Sequence, residues 1–228
     1  MRKYLILLTL LFLTFSSFVN SQTISKSDSI FFKEEATYLK EDLSKFLRYK
    51  FIYPREGFEN KIEGDVIFSI EIKKDGSSTG PILISSDDNV LTFNAAIVLN
   101  LIENKWNPAK MNDIPIDKKY LIVVRYRLYI NTEPTDYKRK ALDLIRKQKY
   151  DKAIKIYDKA IKENQYSFEL LIARSQLKAK NGDYAGLKQD YEAANKLNAN
   201  ILAVVDVIGR SVSTKTTVIS RTISSFPR

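Results

Sequence analysis

The sequence predicts an α+β fold, a small antiparallel sheet with helices on one face, followed by an all-α domain of helical repeats. Residues 64–74 alternate, so that Val66, Phe68, Ile70 and Ile72 share one face of a strand. Residues 120–129 are dense in β-branched and aromatic side chains and form the longest strand candidate. From Asp136 onward charged helical segments take over. There Tyr150 and Tyr184, Tyr157 and Tyr191, and Ala160 and Ala194 each stand 34 residues apart.

The elements follow in order. Arg2 and Lys3 precede an apolar run from Leu5 to Val19, and Val19-Asn20-Ser21 leads to Gln22. This is the layout of a signal peptide over residues 1–21, cut after Ser21, since the run falls short of the roughly 20 residues of a membrane span. Between Asp28 and Lys50, Phe32, Ala36, Leu39, Leu43, Phe46 and Leu47 recur at helical spacing, which predicts one amphipathic helix capped by Asp28 or Ser29. After the strand at 64–74, Asp75-Gly76 makes a tight turn and Ile82-Leu83-Ile84 a returning strand. Asp87 or Asp88 caps a helix over 90–103 with Leu91, Ala95, Val98, Leu99 and Ile102 on its inner side. Pro108 closes that region, because proline disfavours helical geometry in the residue before it. The strand at 120–129 completes a domain spanning 28–130.

Composition narrows the chemistry. With no histidine and no cysteine, imidazole and thiolate catalysis and the usual zinc sites are out of reach, and neither a disulfide framework nor a lipid-modified cysteine is available. The adjacent pair Asp87-Asp88 could belong to a carboxylate site on glycan, but a helix cap explains it better. No catalytic residue, metal or cofactor is therefore expected. The formal charge is +10, and loss of Arg2 and Lys3 with the leader leaves +8. In an exported chain this favours lipid headgroups, cell-wall polymers or acidic protein segments over nucleic acid.

Tyr53-Pro54, then Ile62-Glu63-Gly64 before a strand, Asp75-Gly76 at its turn, and Trp106-Asn107-Pro108-Ala109-Lys110 before the last strand occur in an order that resembles the C-terminal domain of TonB-type energy transducers. The resemblance covers residues 50–130. It implies partner binding, in which a short extended segment of an outer-membrane transporter adds to the sheet edge. The edge expected here is the last strand, with Tyr120, Ile122, Val124, Tyr126 and Leu128 as partner-binding positions. Gly64, Gly76, Pro54 and Trp106 are expected to be structural.

The later period, with Lys149-Tyr150-Asp151-Lys152-Ala153 and Gly182-Asp183-Tyr184-Ala185-Gly186-Leu187 at helix–helix turns, resembles two tetratricopeptide repeats. Tyrosines are expected to fill the gap between paired helices. The repeats and a capping helix at Ala199–Ile208 occupy 136–209, and a Ser/Thr-rich disordered tail follows over 210–228. By position in the repeat, Lys138, Leu142, Arg146, Ile172, Gln176 and Lys180 line a peptide groove, whose three cations fit an acidic peptide or a free carboxylate.

Taken together these features predict a non-catalytic periplasmic adaptor that recognises polypeptides at the sheet edge and in the groove. Membrane contact is expected only if the leader is left uncut. The alternative is an energy transducer of TonB-dependent transport that keeps the leader as an inner-membrane anchor. Against it, only about 30 residues, mostly helical in this reading, separate leader from sheet, with no Pro-rich spacer to cross between membranes.

Overall fold

The computed structural model describes residues 33–212, 215–217 and 222–224. The signal-peptide reading and the first residues of the expected N-terminal helix lie outside them.

The N-terminal segment is not one helix. It holds two short strands, β1 (Lys33–Glu34) and β2 (Thr37–Tyr38), before helix α1 (Leu43–Lys50). Asp42 is the cap, its side chain accepting from the Lys45 amide at 2.8 Å. The reason for the difference is tertiary. Farther along come the two-residue strand β5 (Trp106–Asn107), β6 (Ala109–Met111) and β7 (Ile114–Ile116). β1 pairs antiparallel with β6 and β2 with β5, and the Ala36 amide donates to the Tyr120 hydroxyl at 2.9 Å. These backbone bonds outweigh the helical spacing upstream of Asp42, and Leu39, assigned to the helix stripe, is left exposed.

A short helix α2 (Arg55–Glu59) leads into β3 (Gly64–Ile72), whose burial alternates as the sequence predicts, with Val66, Phe68, Ile70 and Ile72 buried. The turn after it places Gly76 at φ +83°. A Cβ there would stand 2.6 Å from the carbonyl oxygen of Trp106, so the position needs glycine on both counts. β4 (Ile82–Ser86) returns antiparallel to β3. Helix α3 (Asn89–Leu99) is capped by Asp88, which accepts from the Val90 amide at 2.7 Å. It buries the inner side expected of it, Leu91, Ala95, Val98 and Leu99, with Ile102 packed alongside.

β8 (Lys118–Ile130) pairs with β3 along its length. Four helices follow: α4 (Tyr137–Arg146), α5 (Tyr150–Glu163), α6 (Phe168–Lys180) and α7 (Tyr184–Asn200). Each packs on the next. The 34-residue offset reappears in the backbone, where Gln148 and Gly182, just before α5 and α7, both take left-handed conformations with φ 54° and 81°. Tyr157 is buried between helices as expected. Its counterpart Tyr191 and the preceding Tyr184 are exposed, because among the described residues α7 is followed by strands and not by a further helix.

The segment expected to be a capping helix is a strand. β9 (Ile201–Val212) lies parallel to β8, paired from Leu121↔Ile201 to Ile130↔Ser211. A continuous apolar run carries no period that separates strand from buried helix, and the β-branched Ile201, Val204, Val205, Val207 and Ile208 decide for the strand once a sheet edge is available. Parallel pairing demands a long crossover, and the four helices are that crossover. Parts of the tail expected to be disordered are also strands: β10 (Lys215–Thr217) and β11 (Thr222–Ser224) both pair antiparallel with β9.

The main sheet therefore runs β10-β9-β8-β3-β4, with β11 beside β10 on β9. Its larger core lies against α1 and α3. The opposite face carries a smaller core, where Val123, Ile201 and Val204 meet Ile67, Leu121, Tyr166 from the α5–α6 turn and Leu197 from the end of α7. Helices thus cover parts of both faces rather than one, since a chain returning to add β9 must bring its crossover down onto the sheet. No helix among the described residues is long and apolar enough to cross a membrane.

Candidate interaction surfaces

The strand expected to be free is held on both sides. β8 has β3 along one side and β9 along the other, and Tyr120, Ile122, Val124 and Tyr126 are buried, with Leu128 half-buried. These positions are core, and the reading of β8 as a docking edge is corrected. β9 cannot simply be peeled away. Its six buried isoleucine, leucine and valine side chains, at about 1.5–3 kcal/mol each, amount to on the order of 10 kcal/mol. That equals the net stability of a typical domain, about 5–15 kcal/mol.

Polar contacts lock the same seam. Arg125, almost wholly buried, reaches Asp206 across the β8–β9 pair at 2.8 Å and the Glu163 carbonyl at 2.5 Å. Burial pushes the Asp206 carboxyl above the ordinary carboxylate range, against the pull of Arg125 and Arg127. Nearby, Arg127 bonds the Asp65 carboxylate of β3 at 2.6 Å. At the other end Lys118 bonds Glu35 and, at 2.6 Å, the Ala199 carbonyl at the end of α7. Burial draws the Lys118 ammonium below the usual lysine value, although its bond to Glu35 opposes this. The Tyr120 hydroxyl donates to the same Glu35 carboxylate at 2.7 Å. A cleft of 560 Å³ opens here between Glu34, Glu35, Lys110, Tyr120, Asn198 and Ile201.

The residues quoted for the resemblance have structural work. Tyr53 is buried edge-on to Tyr126, with ring centroids 5.6 Å apart, and donates to the Ile62 carbonyl. Trp106 is buried against Tyr38, and its indole donates to Ser78 Oγ at 3.2 Å. Asp88 is spent on the α3 cap, and Asp87 accepts from the Asp65 amide at 2.8 Å.

The groove residues divide between two helices. Lys138, Leu142 and Arg146 lie exposed along one face of α4, while on α6 Gln176 and Lys180 are exposed and Ile172 is half-buried. The cations of α6 on its other side are committed elsewhere. Arg174 and Lys178 converge on the buried Asp190 of α7, at 2.7 and 3.0 Å. Burial opposes ionisation of Asp190, but these bonds outweigh it and hold the carboxyl below its ordinary range.

Sequence reasoning missed the surface at the other end of the sheet. β4 is a terminal strand, and its Ile82, Leu83 and Ile84 are all exposed, at 58, 47 and 57 %. Next to it, α3 turns Phe93 and Ile97 outward, with Leu101 beyond its end, and Phe93 is 71 % exposed. A second groove, of 480 Å³, runs between this helix and Pro54, Arg55 and Glu56. A signal was present in the sequence. From Gly76 to Ile102 the only charged residues are Asp87 and Asp88, in a chain that is 28 % charged as a whole. A helix apolar all round needs cover on both faces, and α3 has it on one.

No curated protein and no solved structure matches this chain. Residues 49–128, which span α2, β3, β4, α3 and nearly all of β8, match the family model of the Gram-negative bacterial TonB protein C-terminal domain.

Proposed function

We propose that this is a non-catalytic, periplasmic protein-interaction protein, in which the TonB-like sheet docks an extended apolar, uncharged segment of an envelope protein along β4. The observation that carries this is the edge of β4, which among the described residues pairs with no strand on its outer side and whose Ile82, Leu83 and Ile84 are exposed. An unpaired edge offers a row of backbone donors and acceptors to a foreign strand, and uncharged neighbours impose no charge requirement on it. Natural edges are usually blunted by lysine or a bulge pointed at solvent. This one carries only Pro81 at its start and an irregularity opposite Ile67/Phe68. A protein partner from the envelope is supported by the match of residues 49–128 to the TonB C-terminal family model. The four helices, with their 34-residue offset and paired left-handed turns, support a reading as two tetratricopeptide repeats that hold a second polypeptide.

A photo-crosslinking residue placed at Ile84 in the living envelope tests the edge. The expected product joins β4 to one short segment of a partner, and Leu83→Lys, which leaves the core untouched, abolishes it. An unchanged adduct in the Leu83→Lys variant, or none in the parent, removes the proposal. The mature N-terminus, read by mass spectrometry, separates the soluble form from an anchored transducer: Gln22 supports the former and Met1 the latter.

A further inference from the structure

One face of α5 is a straight row of lysines. Lys152, Lys155, Lys159 and Lys162 are all exposed and fall within an arc of about 80° over about 15 Å of helix axis. The opposite face buries Ala153, Tyr157 and Ala160, so the row is held outward by the packing of the helix. The acids of the same helix do not answer it. Asp158 is bonded by Arg174 at 2.8 Å, Asp151 accepts from Asn181 Nδ2 at 2.6 Å, and Glu163 accepts from the Tyr137 hydroxyl. Among the described residues none of the four lysines forms an ion pair.

A row of four like charges costs self-repulsion and brings nothing to the core, so its use lies with an anion outside the molecule. We infer that this face of α5 lies on an anionic lipid surface, the four ammonium groups spread among phosphate headgroups. Residue type favours a lipid surface over a peptide. All four are lysines, flexible point charges suited to a fluid array of phosphates, whereas fixed carboxylates are recognised best by the planar fork of arginine. Shape favours it too, since the row follows one helix side rather than the walls of a groove. Contact with a membrane would then require neither the leader nor any apolar insertion, and it is independent of the β4 edge.

The full-length chain is to be titrated with two kinds of vesicle, neutral phosphatidylcholine and the same lipid with about 30 % phosphatidylglycerol. Each basic residue near an anionic surface changes partitioning by about fivefold. The quadruple variant K152Q/K155Q/K159Q/K162Q is therefore expected to lose roughly 100-fold or more of its binding to anionic vesicles. The neutral vesicles read any contribution of the apolar first segment, which the variant leaves alone. Parent binding should also fall as salt shortens the Debye length from about 10 Å at 0.1 M to about 3 Å at 1 M. Unchanged circular dichroism would show that the variant is folded. Equal binding of parent and variant to anionic vesicles overturns the assignment. So does a parent that ignores them yet binds a polyglutamate peptide through the same lysines, which would make the face a site for acidic protein.

Discussion

Arg125 and Asp206 sit where β8 meets β9, and each is buried enough that neither tolerates the loss of the other. Removing one partner of such a pair strands a charge, at about 3–5 kcal/mol. Asp206→Ala is accordingly expected to destabilise the protein by about that much, while the double variant Arg125→Met/Asp206→Leu recovers most of it, because two apolar side chains carry no desolvation cost. Urea unfolding of the two single variants and the double variant measures this. Additive losses would mean that the contact contributes nothing as a pair. The residue scale also shows what the sequence displayed openly. Asp88, Gly76 and Trp106 each perform the local task their neighbours imply, a cap, a turn and a buried ring. Arg125 reads on its own as an ordinary polar position in a strand, and nothing near it announces a partner 81 residues away.

At the scale of elements, β9 is the piece on which the sheet depends. Truncation after Asn200 removes its six isoleucine, leucine and valine side chains from the core and lays bare one side of β8, a long apolar edge. The truncated chain is expected to be insoluble or to unfold at a far lower urea concentration than the parent. A soluble product of parent-like stability would show that β9 is dispensable. Glycine has a role in its seating: a Cβ at Gly209 would stand 2.5 Å from Leu128 Cδ2 and 2.9 Å from Phe58 Cδ2. The elements legible in advance were those with both a period and a stop signal. β3 alternates and ends at Asp75-Gly76, α3 has its cap and its inner stripe, and the helices from α4 to α7 carry a repeating offset. The run at Ala199–Ile208 had apolar character without period, and its length fits helix and strand alike.

For the molecule as a whole, the return of β9 makes the four helices an insertion between two paired strands rather than a module hung on the end of the sheet. Residues from Lys33 onward fall into one compact unit. Unfolding is therefore expected to be a single transition, with Trp106, the one tryptophan, reporting the sheet and circular dichroism at 222 nm the helices. Separated midpoints would show instead that sheet and helices unfold independently. The sequence by itself determined which segments are strands and helices wherever local spacing, caps and turns agree, and its resemblance over residues 50–130 overlaps the stretch, residues 49–128, that matches the TonB C-terminal family model. Only the tertiary structure decided that β8 is interior, that residues 33–34 and 37–38 are strands, that the final apolar run is a strand, and that β4 ends the sheet among the described residues. Those outcomes depend on which distant segments supply hydrogen bonds and cover to one another, and a local pattern records the need for a partner without recording which one meets it.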